Sequence, residues 1–271
     1  GCDNDDFIRT TDNKHKSAAQ FLWNKLKSNN QIYLSNYEGW YSIRDEAFYQ
    51  ESELTKTESG FVAPSGAPVE WVKEESYFFK LSEWENRLIE FYENNTDAVL
   101  PKSRYNEVIS FIKGGLKDLS ISRTTFKWGI SVPEADDHVM YVWIDALCNY
   151  ITALNYPDIN NDSFKKFWPG IHIVGKDILR FHAVYWPAFL MAADLDPPKK
   201  IFAHGWWTNE GQKISKSLGN VINPYEIIDQ YGLDQIRFFL FREVPFGNDG
   251  DFSKDAISQR VNADLSNNYG N

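Results

Sequence analysis

Ile171-His172-Ile173-Val174-Gly175-Lys176-Asp177, answered further along by Lys200-Ile201-Phe202-Ala203-His204-Gly205, is the stretch whose reading decides the fold. The first run is short, apolar and β-branched, and it predicts a strand with no exposed face, as in a buried parallel sheet. It leads through Lys176-Asp177 into a helix, and the second run predicts the next strand. Upstream, Val139-Met140-Tyr141-Val142-Trp143 is also strand-like and leads into a helix through Leu154. Strand, helix and strand at this spacing predict βαβ units. Ligands of such sheets bind beyond the C-terminal ends of the strands, so Asp145, Gly175, Asp177, His204 and Gly205 are candidate site residues.

Outward from this segment the pattern changes. Residues 31–80 hold short β-prone pieces and turn signals such as Pro64-Ser65-Gly66-Ala67-Pro68, which predict a small β-rich insertion. Thr11-Asp12 followed by 13–29 reads as a capped helix with Ala18, Phe21, Leu22 and Leu26 inward. Residues 81–116 return to helical spacing through Trp84, Leu88, Ile89, Tyr92, Val108, Ile109 and Ile112. From 224 helices dominate, with Pro224 in a first turn and a long helix beginning near Asp255.

The 271 residues suffice for one large domain or two modest ones. No apolar run reaches the ~18 residues of a membrane span. The acidic start Gly1-Cys2-Asp3-Asn4-Asp5-Asp6 is no signal peptide, and its lack of Met suggests a chain that begins inside a longer protein. Cys2 and Cys148 form no disulfide framework, so a reduced cytoplasmic setting is expected. The net charge of −10 argues against a protein that coats nucleic acid, DNA included. A local basic stretch nevertheless carries Lys102, Arg104, Lys113, Lys117, Arg123 and Lys127 against Glu107 and Asp118.

Gly211-Gln212-Lys213-Ile214-Ser215-Lys216-Ser217-Leu218-Gly219-Asn220 bears the chemistry. Two lysines interleaved with serines and bracketed by glycines suit a polyphosphate, because charge-assisted hydrogen bonds to phosphate oxygens are strong. There is no P-loop, no G-x-G-x-x-G and no Cys or His cluster at metal spacing.

Lys213-Ile214-Ser215-Lys216-Ser217 resembles the second signature of class I aminoacyl-tRNA synthetases. Its surroundings agree: His204-Gly205-Trp206-Trp207 before it, and Asp234-Gln235-Ile236-Arg237-Phe238 after it. Residues 70–79, Ser122-Arg123-Thr124 with Trp128-Gly129-Ile130-Ser131-Val132-Pro133, Tyr141 to Tyr150, and Gly175-Lys176-Asp177-Ile178 with Phe181-His182 and Trp186 resemble the methionyl members of that class.

The resemblance implies an α/β fold: the second half of a Rossmann-type nucleotide fold with a β-rich connective insertion and a helical C-terminal extension. It implies a connective region over 1–138, catalytic fold over 139–205, signature loop and stem-contact region over 206–260, and the start of an anticodon-binding bundle over 261–271. It implies methionine in a pocket of Trp143, Ala146, Tyr150, Ile178 and His182, with Tyr150 and His182 as weak donors to the thioether. ATP, with Mg²⁺, would meet Gly175, Asp177, His204, Trp207, Lys213, Ser215, Lys216 and Ser217. Lys213 and Lys216 are the catalytic pair, and Arg123 belongs to the polar shell. The implied partners are L-methionine, ATP and tRNA(Met), with no membrane and no DNA.

Two departures stand out. The His-Ile-Gly-His first signature is absent, so this chain alone is expected to activate methionine weakly. The insertion reads Ser42 and Asp45 where many relatives carry zinc-binding cysteines, so no zinc is expected. Asp45, Glu51 and Glu53 read as a solvated acidic strand. The 31–80 region is too short for an editing insertion, and a cysteine enzyme would need metal-binding Cys. A non-catalytic tRNA-binding relative is disfavoured by the acidic charge, an adenylyltransferase relative by the helical tail.

Overall fold

In the computed structural model, residues 3–42, 44, 47–49, 51–57, 60–214 and 219–270 are described. The chain divides into two compact units, one of Gly1–Phe91, Phe111–Pro169 and Val184–Pro197, the other of Tyr92–Ser110, Gly170–Ala183 and Pro198–Asn271.

The first unit is built on helix Asn13–Ser28 and an antiparallel sheet ordered Ala47–Tyr49, Ile32–Ser42, Glu70–Phe79, Leu119–Ser120. The two long strands pair from Ile32↔Phe79 to Tyr41↔Glu70. The helix buries Ala18, Ala19, Leu22, Trp23 and Leu26, with Trp23 edge-on to Tyr77 at 5.5 Å. Phe21, expected inward, is half exposed; at helical spacing it falls beside the core stripe, in a T-shaped pair with Tyr156. A small satellite core of Ala63, Ala67 and Val69 lies under Trp40, Tyr49, Leu54 and Phe61.

Here two expectations fail. The strand ends at Met140 (Ala135–Met140), and Val142–Thr152 is already helix. Ile144, Leu147, Cys148 and Ile151 recur at helical spacing and are buried, so a continuous core face outweighs the β-propensity of Val142 and Trp143. That strand also pairs antiparallel with Ser122–Arg123 and Ser131–Val132, not in a βαβ unit. Arg123 is buried, donating to Ser120 Oγ and the Ser122 carbonyl at 2.6 Å each, with its guanidinium 4.1 Å over the Tyr141 ring. The expected basic stretch is therefore not one surface: Arg123 is internal, and Lys102 and Arg104 belong to the other unit.

The second unit carries the parallel sheet, ordered Ile171–Gly175, Lys200–His204, Val99–Leu100. Its third strand is two residues long and gave no sequence signal. Ile171–Gly175 is an edge strand whose pleat buries His172 and Val174 and leaves Ile171 and Ile173 about 60% and 58% exposed, contrary to the expected two-sided burial. After Ile171–Gly175 the chain runs through a 3₁₀ turn at Lys176–Ile178 and into a π-helical turn at Phe181–Tyr185; helix Trp186–Ala192, which follows, belongs to the first unit.

A second small sheet is ordered Gln212–Lys213, Trp207–Asn209, Gly250–Phe252. Helices Pro224–Tyr231, Leu233–Arg242 and Lys254–Arg260 pack around Ile227, Ile236, Phe239, Phe252 and Ile257. Pro224 occupies the first turn, and Asn223 Oδ1 caps it by accepting from the Tyr225 amide. The last helix continues as π-helix over Val261–Tyr269.

Candidate active site

At the C-terminal ends of the two longer parallel strands the chain must turn out of the sheet beside exposed backbone amides. Gly175 ends one strand and Asp177 follows in the 3₁₀ turn. A Cβ at Gly175 would lie 2.5 Å from Asp177 Oδ1 and 3.9 Å from the His204 ring, so hydrogen alone fits there without displacing the carboxylate. His204 ends the neighbouring strand, its Nδ1 2.8 Å from the Gly205 carbonyl, which fixes the proton on that nitrogen in the neutral ring. Gly205 is the tightest point. A Cβ there would lie 2.2–2.5 Å from the backbone of Asn248 and Asp249.

That close approach lets Asp249 organise the cluster. Its carboxylate accepts from Lys176 Nζ at 2.6 and 2.7 Å and from the Trp206 amide at 2.9 Å. The Lys176 ammonium holds the Asp249 carboxyl below its usual range. The Trp206 indole N–H donates to Asp177 Oδ1 at 3.1 Å, and both Lys176 and Lys213 place ammonium groups over its ring, at 4.4 and 5.5 Å. Two cations near the ring and a carboxylate at its N–H edge thus converge on one partly exposed indole.

Lys213 is positioned by hairpin chemistry. Thr208 pairs with Lys213 and Asn209 with Gln212, leaving Glu210-Gly211 as a two-residue turn with φ of 50° and 76°. Asn220 Nδ2 donates to the Lys213 carbonyl at 3.0 Å and Asn209 Nδ2 to the Asn220 carbonyl at 2.9 Å, pinning the two ends of the signature loop together. Ser215, Lys216 and Ser217 lie outside the described residues, as does Asp45.

Of the expected nucleotide residues, Gly175, Asp177, His204 and Lys213 are gathered by the second unit. Trp207 turns its ring toward Phe239, 6.0 Å away, and lines a 190 Å³ cavity with His204, Gly205, Leu240 and Phe246. Sequence reading missed Trp206, Lys176 and Asp249. Trp206 was visible as half of a Trp pair, whereas Asp249 sits in an ordinary Gly-Asn-Asp-Gly turn with no such signal.

The expected methionine residues fall in both units. Trp143, Ala146 and Tyr150 form a half-buried stripe on helix Val142–Thr152, apart from its fully buried face, so they are not simply core. Burial pushes the Tyr150 hydroxyl up, keeping it a proton donor at neutral pH. In the second unit His182 is buried, with Nδ1 2.9 Å from the Ile178 carbonyl. A carbonyl only accepts, so Nδ1 carries the proton. Burial also pushes His182 down, so the ring is neutral and its Nε2 is an acceptor. Asp145, expected beside the nucleotide residues, belongs to the first unit and bonds His15 Nε2 at 2.7 Å. Among the described residues no group of three or more His, Cys, Asp or Glu could hold a metal, and no helix is long and apolar enough to cross a membrane.

A parallel sheet with a carboxylate just after one strand and a lysine on the following hairpin suits a class I synthetase fold, and comparison with known proteins shows that fold. The family model described as tRNA synthetases class I (M) matches residues 1–63 and 61–271, and the chain belongs to that methionyl-tRNA synthetase family. It is 63% identical over 269 residues to a methionine–tRNA ligase of Rickettsia felis and 57% identical over 272 residues to one of Mesorhizobium japonicum. These matches cover 99% and 100% of this chain, and the chain spans about half, 52%, of each relative. A solved Mycobacterium tuberculosis methionyl-tRNA synthetase in complex with methionyl-adenylate matches with a TM-score of 0.92 and 52% identity, over 97% of this chain and 52% of that one. The apo form of the Mycobacterium enzyme matches at 0.87.

Proposed function

We propose that this chain carries the nucleotide- and methionine-handling part of a methionine–tRNA ligase, acting in translation in the cytoplasm. The reading rests on the convergence of Asp177, Trp206, Lys176 and Lys213 at the ends of the parallel strands. The likeness to a synthetase solved with methionyl-adenylate supports it. In the activation step a methionine carboxylate oxygen attacks the α-phosphorus of ATP, the α–β P–O bond breaks, and pyrophosphate leaves. The methionyl group then passes from the adenylate to the terminal adenosine of tRNA(Met). No covalent enzyme nucleophile is required, so the protein's work is positioning and charge stabilisation.

In this reading Asp177 accepts from ribose hydroxyls beside Gly175, His204 and Trp207 approach the base, and Lys213, Ser215, Lys216 and Ser217 take the phosphates, with Mg²⁺ accompanying the ATP. Lys213 and Lys216 stabilise the departing pyrophosphate. Trp143, Ala146, Tyr150, Ile178 and His182 receive the methionine side chain, held by aromatic contact and a donor to sulfur. The finer architecture is also a proposal: connective region 1–138, second half of a Rossmann-type fold 139–205, signature loop and stem contact 206–260, and the start of an anticodon-binding bundle 261–271. No zinc is part of it, and stoichiometric zinc on metal analysis would contradict that.

The test is calorimetric binding of a methionyl-adenylate analogue to the 271-residue protein. Binding that Asp177→Asn and Tyr150→Phe each weaken supports the assignment. Absence of binding, or equal binding by the variants, overturns it. Pyrophosphate exchange by the chain alone should be weak, because no His-Ile-Gly-His signature shares the phosphate charge with Lys216.

A further inference from the structure

A 200 Å³ cavity within the first unit is lined by Thr10, Thr11, Lys16, Lys127, Trp128, Gly129, Ile130 and Asp145, and no role described above uses it as a whole. Its walls are unlike those of an ordinary surface cleft. Trp128 is 78% exposed, which leaves an indole face open at the cavity. Lys16 and Lys127 flank it. Lys16 stands in the first turn of helix Asn13–Ser28, where no acidic residue is present and where a cation is disfavoured, so helix stability does not account for it. At the inner end, the Asp145 side chain is only 16% exposed and is fixed by His15, itself fully buried and braced by Thr152 at 3.2 Å.

The support beneath is rigid. Gly129 has φ of 146°, a backbone that side-chain-bearing residues rarely adopt. The Ile130 carbonyl accepts from the Met140 amide at 2.7 Å, and Gln20 Nε2 donates to the Ser131 carbonyl at 3.1 Å. The loop that presents Lys127 and Trp128 is thereby tied to a strand on one side and to helix Asn13–Ser28 on the other.

An aromatic face for stacking, two ammonium groups, two threonine hydroxyls and a fixed, partly shielded carboxylate make a recognition set for one nucleotide of a single strand. The base stacks on the indole, phosphates meet the lysines, and the carboxylate accepts from an exocyclic amine or a ribose hydroxyl. Inside a duplex every base pair is stacked on both sides, so only the two end pairs have a free face to offer Trp128, whereas every base of a single strand can offer one. We propose that this cavity is a docking point for an unpaired nucleotide of single-stranded RNA, which under the function proposed above is an unpaired stretch of the tRNA substrate.

The experiment titrates the 271-residue protein with a fluorescein-labelled hexaribonucleotide, read by anisotropy, with a blunt RNA duplex of equal length as comparison. The hexamer should bind more tightly than the duplex. Trp128→Ala should weaken hexamer binding about tenfold, and Trp128→Tyr should restore most of it. Lys16→Gln with Lys127→Gln should flatten the dependence of log affinity on log salt by between one and two. Because Trp128 is exposed, Trp128→Ala and Trp128→Tyr should leave the thermal midpoint, which monitors folding, unchanged, and the lysine variants should not lower it. Unchanged hexamer affinity in Trp128→Ala, or equal binding of hexamer and duplex, overturns the inference. The readout needs no aminoacylation. Hexamer binding without adenylate-analogue binding would discard the proposed activity and keep this site, and the converse would discard this site alone.

Discussion

Acidification should destabilise this protein through His172, and the size of the effect follows from its surroundings. His172 is 4% exposed on the covered side of its strand, and the His182 ring lies edge-on at 6.3 Å. Burial, with repulsion from His182 second, pushes its pKa from 6.5 down to about 4. A base with a depressed folded pKa stays neutral in the folded protein while the unfolded chain takes up a proton. Its stabilising contribution is therefore complete above pH 6.5 and is lost as pH falls toward 4. At 1.36 kcal/mol per unit, the interval corresponds to a loss of roughly 3 kcal/mol, of which roughly 2 kcal/mol is gone by pH 5. His182, lowered by the same burial, adds to the loss in the same direction. Urea denaturation between pH 7.5 and 4.5 should show this slope in the natural sequence and a shallower one in His172→Asn, whatever the variant's stability at pH 7.5. Parallel pH profiles for the two proteins would show that the ring does not titrate as argued.

Trp206→Phe keeps an aromatic face for Lys176 and Lys213 but removes the N–H that holds Asp177, so ATP affinity should fall about fivefold, equivalent to about 1 kcal/mol, in calorimetric titration; an unaltered Kd would mean that Asp177 needs no such partner. Gly205→Ala forces a methyl into the Asn248–Asp249 backbone and should cost more than about 2 kcal/mol, measurable as a lowered urea midpoint. A midpoint equal to that of the natural sequence would contradict the close approach. Phe239→Ala empties the fully buried centre shared with Trp207 and Phe252, for which a loss of about 3–5 kcal/mol is expected by thermal or urea melting. A change below about 1 kcal/mol would place Phe239 outside the core.

The cluster's own residues show why only part of it was legible. Gly175, Asp177 and His204 could be picked out because each follows an apolar run, and the positions just after strands are set by chain order alone. Lys213 was legible through its spacing from Lys216. Lys176, Trp206 and Asp249 join the cluster through contacts spanning up to 73 residues, and no local periodicity encodes such a contact. The methionine candidates were readable as helical neighbours, but the sequence could not separate a core stripe from a site stripe. The structure adds that Ile144, Leu147 and Ile151 take the buried face of that helix, beside the half-buried candidates.

By itself the sequence determined the strands at Ile171–Gly175 and Lys200–His204, the helix opening at Pro224 and the family. All of these depend on backbone preferences acting over a few residues. Tertiary structure decided where strand gave way to helix at Val142, which face of Ile171–Gly175 is covered, that Val99–Leu100 completes the parallel sheet, and that Trp128 stands outside with lysines beside it. Those outcomes are set by which distant surfaces exclude water from one another, and burial of that kind depends on the whole chain.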